Sequence, residues 1–409
     1  MHRLNWCALA MMVASCACAE PPRLFGFARA SVETADAPRS WHEGGLGRHQ
    51  ASDEDLSSDF SAQFALLWEP GLEWRMFAQA LVRGDAAGRG DHVGLVEAYA
   101  ERQLILADDA RLRLRVGQFF LRTSREAVDP LWQSPYALGL SALNSWIAEE
   151  VRPIGIDASW RSSEDAESEW EWATTIFGGN DSSGALLAWR GFAQHERISV
   201  LGEVLALPSL PSLSDGGPFT HQRDDGTRPF GPDLDGRPGY ALRARYGEPN
   251  SFRVLATRFD NRGDRGLHRG EYAWRTRFAL VGGEWAIDPR WTLAAEWMSG
   301  RSGMGFAPGP RVDIDFDAAY LLASFTPDER WRLTARLESF EIQDRDGGAE
   351  DNDDRGRTCG LSAMRNIGES WRLGLEWLHG DTRHAAAPVL GVPLETGGQV
   401  WRAELRRTF

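Results

Sequence analysis

The sequence predicts an all-β chain: a transmembrane antiparallel β-barrel of about eighteen strands, with sixteen as the alternative. Three observations predict it. Apolar and polar residues alternate in segment after segment, tryptophans stand at successive tight turns, and those turns alternate with long polar loops. Alternation with a period of two marks a strand with two unlike faces. Trp331, Leu333, Ala335 and Leu337 share one face, against Arg332, Thr334, Arg336 and Glu338. Trp371, Leu373, Leu375 and Trp377 alternate with Arg372 and Glu376. Tyr240, Leu242, Ala244 and Tyr246 alternate with Arg243 and Arg245, and Leu112, Leu114 and Val116 with Arg113 and Arg115. Trp274, Thr276, Phe278 and Leu280 alternate with Arg275 and Arg277. An apolar face opposite a charged or small one reads as lipid outside and water inside.

The connections carry the other two observations. Short turns rich in Pro, Gly, Asn and Asp stand at 69–71, 107–110, 162–167, 247–250, 288–290, 326–329 and 368–370. Trp68 and Trp74 flank the first, Trp160 and Trp170 the third, Trp285 and Trp291 the fifth. Rings along one rim make an interfacial girdle, for which a soluble sandwich has no use. Long loops lie between, at 34–55, 85–91, 121–149, 207–237, 261–270, 301–311, 343–355 and 381–398. Short turns are then periplasmic and long loops extracellular, and an even strand number puts both termini on the short-turn side. The count of eighteen requires 185–194 and 198–207 to be two strands; otherwise it is sixteen. The last segment keeps Trp401, Ala403, Leu405 and Phe409 on one face. It resembles the terminal-aromatic strand by which barrels are handed to the barrel-assembly machinery. Arg407 interrupts that face at the rim, where a cation costs only ~0–1 kcal/mol.

Composition agrees. Mean hydropathy is −0.39 over 409 residues, and 25% of them are charged. That does not suit a helical membrane protein, and no second long apolar run follows the N-terminus. The 18 Trp, 19 Phe and 43 Gly suit a barrel, where only alternate strand residues face lipid. The 45 basic residues are all arginine, against 59 acids. A net charge of −14 argues against a nucleic-acid partner. Arg3, the apolar run 6–14 and Ala17-Cys18-Ala19 read as a signal peptide over 1–19. Residues 20–409 then form a single barrel domain. Val13-Ala14-Ser15-Cys16 is the rival reading, a lipobox that would lipidate Cys16. After cleavage Cys359 stands alone, so no internal disulfide is expected.

Gly117-Gln118-Phe119-Phe120-Leu121-Arg122-Thr123-Ser124-Arg125-Glu126 resembles the strand-to-loop motif of the phosphate-selective porin O and P family and related porins. Leu131-Trp132, Ser134-Pro135-Tyr136, Asn144-Ser145-Trp146-Ile147 and Arg152-Pro153-Ile154-Gly155 are similar to porins of that broad kind. The resemblance covers mainly 111–160 and the C-terminal third. It implies a trimeric, sixteen-stranded pore of a Gram-negative outer membrane, set among lipid and lipopolysaccharide and passing small hydrophilic or anionic solutes. Phosphate-selective members rely on lysine in the pore, and this chain has none, so a general porin is the nearer match.

In such a pore function lies in the lumen and in loops that fold into it. Loop 121–149 is the candidate constriction, with Arg125, Glu126, Asp129, Trp132, Tyr136 and Trp146. The candidate pore-lining residues are Arg113, Arg115, Arg243, Arg245, Arg275, Arg277, Arg332, Arg336, Arg372 and Arg402, with Arg406 beside them. Guanidinium is always charged and grips oxyanions with a fork, which points to a weak anion preference. Alternatively these arginines pair with Glu296, Glu338, Glu376 and Glu404 and stiffen the wall. Acids crowd 344–354 and the loop of Asp224, Asp225, Asp233 and Asp235, and Asp313, Asp315 and Asp317 share one strand face. Asp351 to Gly356 echoes a calcium loop, but Arg355 takes a ligand position and the closing Glu is missing. Solvated loops, with no metal or cofactor, are the expectation. No G-x-S-x-G, H-E-x-x-H or P-loop is present, so no enzyme is expected. A barrel hydrolase and a structural or adhesion barrel are the alternatives.

Overall fold

The computed structural model describes residues 20–52, 56–84, 92–163, 168–224, 226–248 and 251–409. The signal peptide expected over 1–19 and Asp225 lie outside these residues. Sixteen strands close into one antiparallel ring. They are β1 Arg23–Ala35, β2 Ser57–Trp68, β3 Trp74–Gly84, β4 Val93–Ile105, β5 Arg111–Gln118, β6 Ile154–Arg161, β7 Glu169–Gly178 and β8 Gly239–Gly247. Then follow β9 Phe252–Asp260, β10 Arg275–Ala286, β11 Trp291–Gly305, β12 Arg311–Phe325, β13 Trp331–Asp344, β14 Asp354–Ile367, β15 Trp371–His384 and β16 Glu395–Thr408. Each strand pairs with the next in sequence, and β16 closes on β1, with Phe27 opposite Thr408 and Ala35 opposite Val400.

The count is therefore the alternative of sixteen. Residues 185–207 do not enter the wall. Ala185–Trp189 is a short helix, and Leu186, Leu187, Ala188 and Trp189 are all fully buried. Consecutive apolar residues have no water-facing side, so they suit a place enclosed all round and not a two-faced strand.

Near the short turns the wall follows the lipid-out, charge-in rule. On β15 Trp371, Leu373, Leu375 and Trp377 face outward, and Arg372 and Glu376 face the lumen. Trp74, Trp160, Trp170, Trp285, Trp291, Trp331 and Trp371 stand exposed along the short-turn rim. Trp297, Trp377 and Trp401 lie higher on the outer face, the last two directly paired. These are rings at the edges of an apolar belt, the mark of a membrane-spanning barrel.

Further from the short turns the rule reverses. On β12 the outward residues become Asp317, Asp315, Asp313 and Arg311, while Phe316, Ile314 and Val312 are buried inside. On β13 Phe340 and Ile342 point in and Glu341 points out. The reversal corrects the expectation for β10. Thr276, Phe278 and Leu280 face the lumen, and Arg275 and Arg277 share the outward face with Val281 and Trp285. At that height the interior is an apolar core, so the greasy face turns inward.

Three connections supply that core: 36–56, 119–153 and 179–238. The second carries a helix, α1 Ala142–Glu150, capped by the Ser141 hydroxyl, which accepts from Asn144 N–H at 3.3 Å. Trp146 packs edge-on against Phe278 and Phe316, at 5.6 and 5.4 Å between ring centres. Trp189 meets Trp274 edge-on at 5.2 Å, and Phe192 meets Phe340 at 5.6 Å. Glycine in the wall lets the filling touch the sheet. A Cβ at Gly374 would lie 2.4 Å from Leu138, and one at Gly94 2.5 Å from Val200.

Candidate pore and its periplasmic vestibule

The lumen opens toward the short-turn rim in two cavities of about 670 and 860 Å³. The first is walled by Arg115, Arg122, Arg125 and Arg245, with Tyr99 and Trp132 among its rings. The second lies under Arg372, Arg406 and the turn 368–370. Asp129 borders both.

Antiparallel alternation aims the wall arginines inward, and carboxylates meet most of them. Arg115 donates to Glu101 at 2.8 and 3.0 Å, with its guanidinium 4.3 Å over the Tyr99 ring. Arg113 and Arg245 both reach Glu171, at 3.3 and 3.5 Å, and Arg243 pairs with Asp157. Arg332 lies 5.3 Å over the Tyr136 ring. Higher up, Arg336 binds Glu338 and Glu126, each at 2.7 Å. Arg402 bridges Glu33 and Glu196 and stands 3.7 Å from Glu376. Arg406 and Arg372 share Glu404, at 2.8 and 3.7 Å. Around Arg336 and Arg402 the pairs are buried, so these residues hold the wall and its filling together. Buried pairs of this kind cost heavily when one partner is removed.

The candidate constriction loop folds into the lumen and is knotted there. Glu126 accepts from Ser141 Oγ at 2.6 Å, Asn144 Nδ2 at 2.8 Å and Arg336. The Arg125 guanidinium reaches Glu284 on β10 at 2.7 Å, and the Tyr136 hydroxyl donates to the same carboxylate at 3.2 Å. Burial, and then Glu284, push the Tyr136 phenol well up. Burial raises Asp129 above the usual carboxylate range. Trp132 stacks on Phe120 at 4.2 Å. Trp146 donates to Glu150, whose carboxyl burial pushes up to about 7. Burial opposes ionisation of Glu149 too, yet Arg190 and His195 hold it far below that range. Glu296 takes Asn144 Nδ2 at 2.9 Å and the Arg125 N–H.

The sequence reading does not single out three things. Segment 41–52 enters the lumen and buries Trp41, Leu46 and Ala51. Segment 185–200 forms part of the filling, signalled only by its unalternating apolar run. The third is Arg122, which follows Leu121 in the quoted motif. The ion pairs described above leave Arg122 out, and its side chain is exposed to the first cavity. Enclosure by the lumen, and then the like charges of Arg113 and Arg115, bring its pKa down to about 9, so it stays cationic at neutral pH.

No family model matches the sequence, and no curated protein sequence matches it either. Solved structures do match. The fold is similar to OmpF of Salmonella typhi, at 11% identity over 95% of this chain and 97% of that one, with a TM-score of 0.55. It is similar to the outer membrane channel DcaP of Acinetobacter baumannii, at 10% identity over 95% and 97% of the chains and a TM-score of 0.52. It is also similar to OmpT, an outer membrane protein of Vibrio cholerae, in a trimer form, at 10% identity over 95% and 99% and a TM-score of 0.52. At such identities the likeness is one of fold, and the fold is that of outer-membrane barrels.

Proposed function

We propose that this protein is a porin-type diffusion channel of a Gram-negative outer membrane, passing small hydrophilic solutes with a preference for anions. One observation carries the reading. A membrane-spanning ring of sixteen strands has a charged inner wall and opens at its periplasmic end into a cavity where Arg122, hydrogen-bonded to no carboxylate among the described residues, stands with Arg115 and Arg245 and faces Glu97 and Glu171. Cations around a water-filled, low-dielectric mouth raise the local concentration of anions. Two proteins of similar fold, the outer membrane channel DcaP and OmpT in its trimer form, support the reading. So does the resemblance of 117–126 to phosphate-selective porins, although the lack of lysine points to a broader anion preference. A homotrimer set in lipid and lipopolysaccharide, delivered through the Phe409 strand to the barrel-assembly machinery, belongs to the same proposal. The role is transport and not catalysis.

Planar-bilayer recording tests it. Because the three inserted connections pack the upper lumen closely, small conductance steps are expected. A salt gradient should give an anion-selective reversal potential that moves toward cations in Arg122→Gln. Well-folded protein that gives no conducting events would overturn the channel. Cation selectivity of the wild type would overturn the role of the arginines and leave the channel standing.

A further inference from the structure

Three carboxylates meet where the chain leaves the extracellular end of β7. Gly179 and Asn180 both take left-handed backbone angles, φ 70° and 65°. Asn180 is tied on every side. Its amide donates to the Glu150 and Pro229 carbonyls at 2.8 Å each, and its oxygen accepts from Arg152 N–H at 3.1 Å. Asp181 is therefore held in one place, with only 3% of its surface exposed. Its Oδ2 accepts from Leu234 N–H. Its Oδ1 is buried and has no hydrogen-bond partner among the described residues. A buried, unmatched carboxylate oxygen is costly unless something positive occupies the space in front of it.

Asp233 and Asp235 come to the Asp181 carboxylate. One oxygen from each of the three carboxylates lies within 4.8 Å of the other two. The two incoming carboxylates are fixed by their own turn: Gly236 N–H donates to Asp233 at 2.6 Å, Arg237 N–H to Asp235 at 2.8 Å and Asp264 N–H to Asp235 at 2.7 Å. The wall makes room for them, since a Cβ on Gly178 would lie 2.9 Å from Asp233 Oδ2.

We propose that Asp181, Asp233 and Asp235 bind a calcium ion at the extracellular mouth, tying the start of the inserted connection 179–238 to its return toward β8. Hard carboxylate oxygens are calcium ligands, and the exposed side of Asp233 leaves positions for water. Two ligands of one ion stand at most two bond lengths apart. Ca–O distances of about 2.3–2.6 Å admit oxygens as far apart as that limit, and calcium accepts an irregular oxygen set, whereas magnesium demands near-ideal octahedral geometry at about 2.0–2.1 Å. The site does not depend on the channel reading.

Calorimetric titration of the full chain, folded in detergent micelles and stripped with EDTA, tests the proposal with CaCl₂ and MgCl₂ as probes. The wild type should bind one calcium per chain. Asp181→Asn and the double variant Asp233→Asn with Asp235→Asn should bind at least tenfold more weakly. A pair of changes in the other acidic loop, Asp351→Asn with Asp353→Asn, should leave binding unaltered. Calcium should also raise the thermal unfolding midpoint of the wild type and not that of Asp181→Asn. If Asp181→Asn does not fold, Asp233→Asn replaces it, because its one amide oxygen can still accept from Gly236 N–H. Equal affinity in wild type and Asp181→Asn, or no binding by the wild type, would overturn the site. Magnesium bound more tightly than calcium would overturn the choice of ion.

Discussion

The lower and upper parts of the barrel wall are built on opposite rules. On β13, Leu337 faces out and Glu338 faces in, yet Phe340 faces in and Glu341 faces out. Along β13 the period of two does not break; only the chemistry assigned to each face changes. The lower wall lies between hydrocarbon and a charged lumen. The upper wall lies between a polar exterior and an apolar filling built on Trp146, Trp189 and Phe192. Strand alternation thus records what stands on either side of a sheet and carries no fixed sense of inside and outside. The outer charges above the belt pair among themselves, as Asp315 does with Arg301 and Arg345, and exposed pairs of that kind add little stability.

Trp146→Ala should cost the most. It removes a fully buried ring from the upper core, worth about 3–5 kcal/mol, read as a lower denaturant midpoint in detergent. An arginine scan of one outward face should then separate the two regimes. Leu375→Arg, inside the apolar belt, should cost about 2–4 kcal/mol. His379→Arg, four positions along the same face and above the belt, should stay within about 0.5 kcal/mol. Equal costs at the two sites would erase the distinction.

The segment 41–52, which enters the lumen from above, supplies a pH test. Burial, together with Arg402 and Arg48, holds His49 down to about 4, and burial with Arg197 depresses His42 as well. Between about 4 and the ordinary histidine value of about 6.5, the unfolded chain binds more protons than the folded one. Stability is therefore full above that range and falls as pH drops through it. Between pH 7 and 5 the His49 contribution should be about 2 kcal/mol, and His49→Gln should remove that part of the fall. The smallest effect on stability belongs to the periplasmic vestibule. Arg122→Gln should change selectivity while shifting the unfolding midpoint by no more than about 0.5 kcal/mol.

Much of the lower wall was legible from residue order. β5, β8, β13, β15 and β16 alternate as read, because hydrocarbon outside and charge inside leave a strict two-letter pattern. The upper wall was not. The loops expected at 301–311, 343–355 and 381–398 are shorter than read, with β11 running to Gly305, β13 to Asp344 and β15 to His384. A reading that stops each strand where the outward residues turn polar stops too early. It also assigns Arg275 and Arg277 to the wrong side. Loop 121–149 showed itself by length and aromatics. Arg122 did not, since whether a cation finds a carboxylate is decided by residues far away in sequence. Asp181 did not either; its partners sit beyond the whole 182–232 stretch.

The ring also closes across nearly the whole chain. Arg402 on β16 grips Glu33 on β1 over a separation of 369 residues, and Gly26 and Phe409 exchange backbone hydrogen bonds at 3.0 and 3.1 Å. The first strand made must therefore wait, with one side of its peptide groups unanswered, until the final strand is in place. Such a pairing cannot nucleate the fold, because its loop-closure entropy is large and its contacts are the least local in the molecule. Until then the growing sheet keeps two sticky flanks, and shielding them falls to whatever escorts the chain to the membrane.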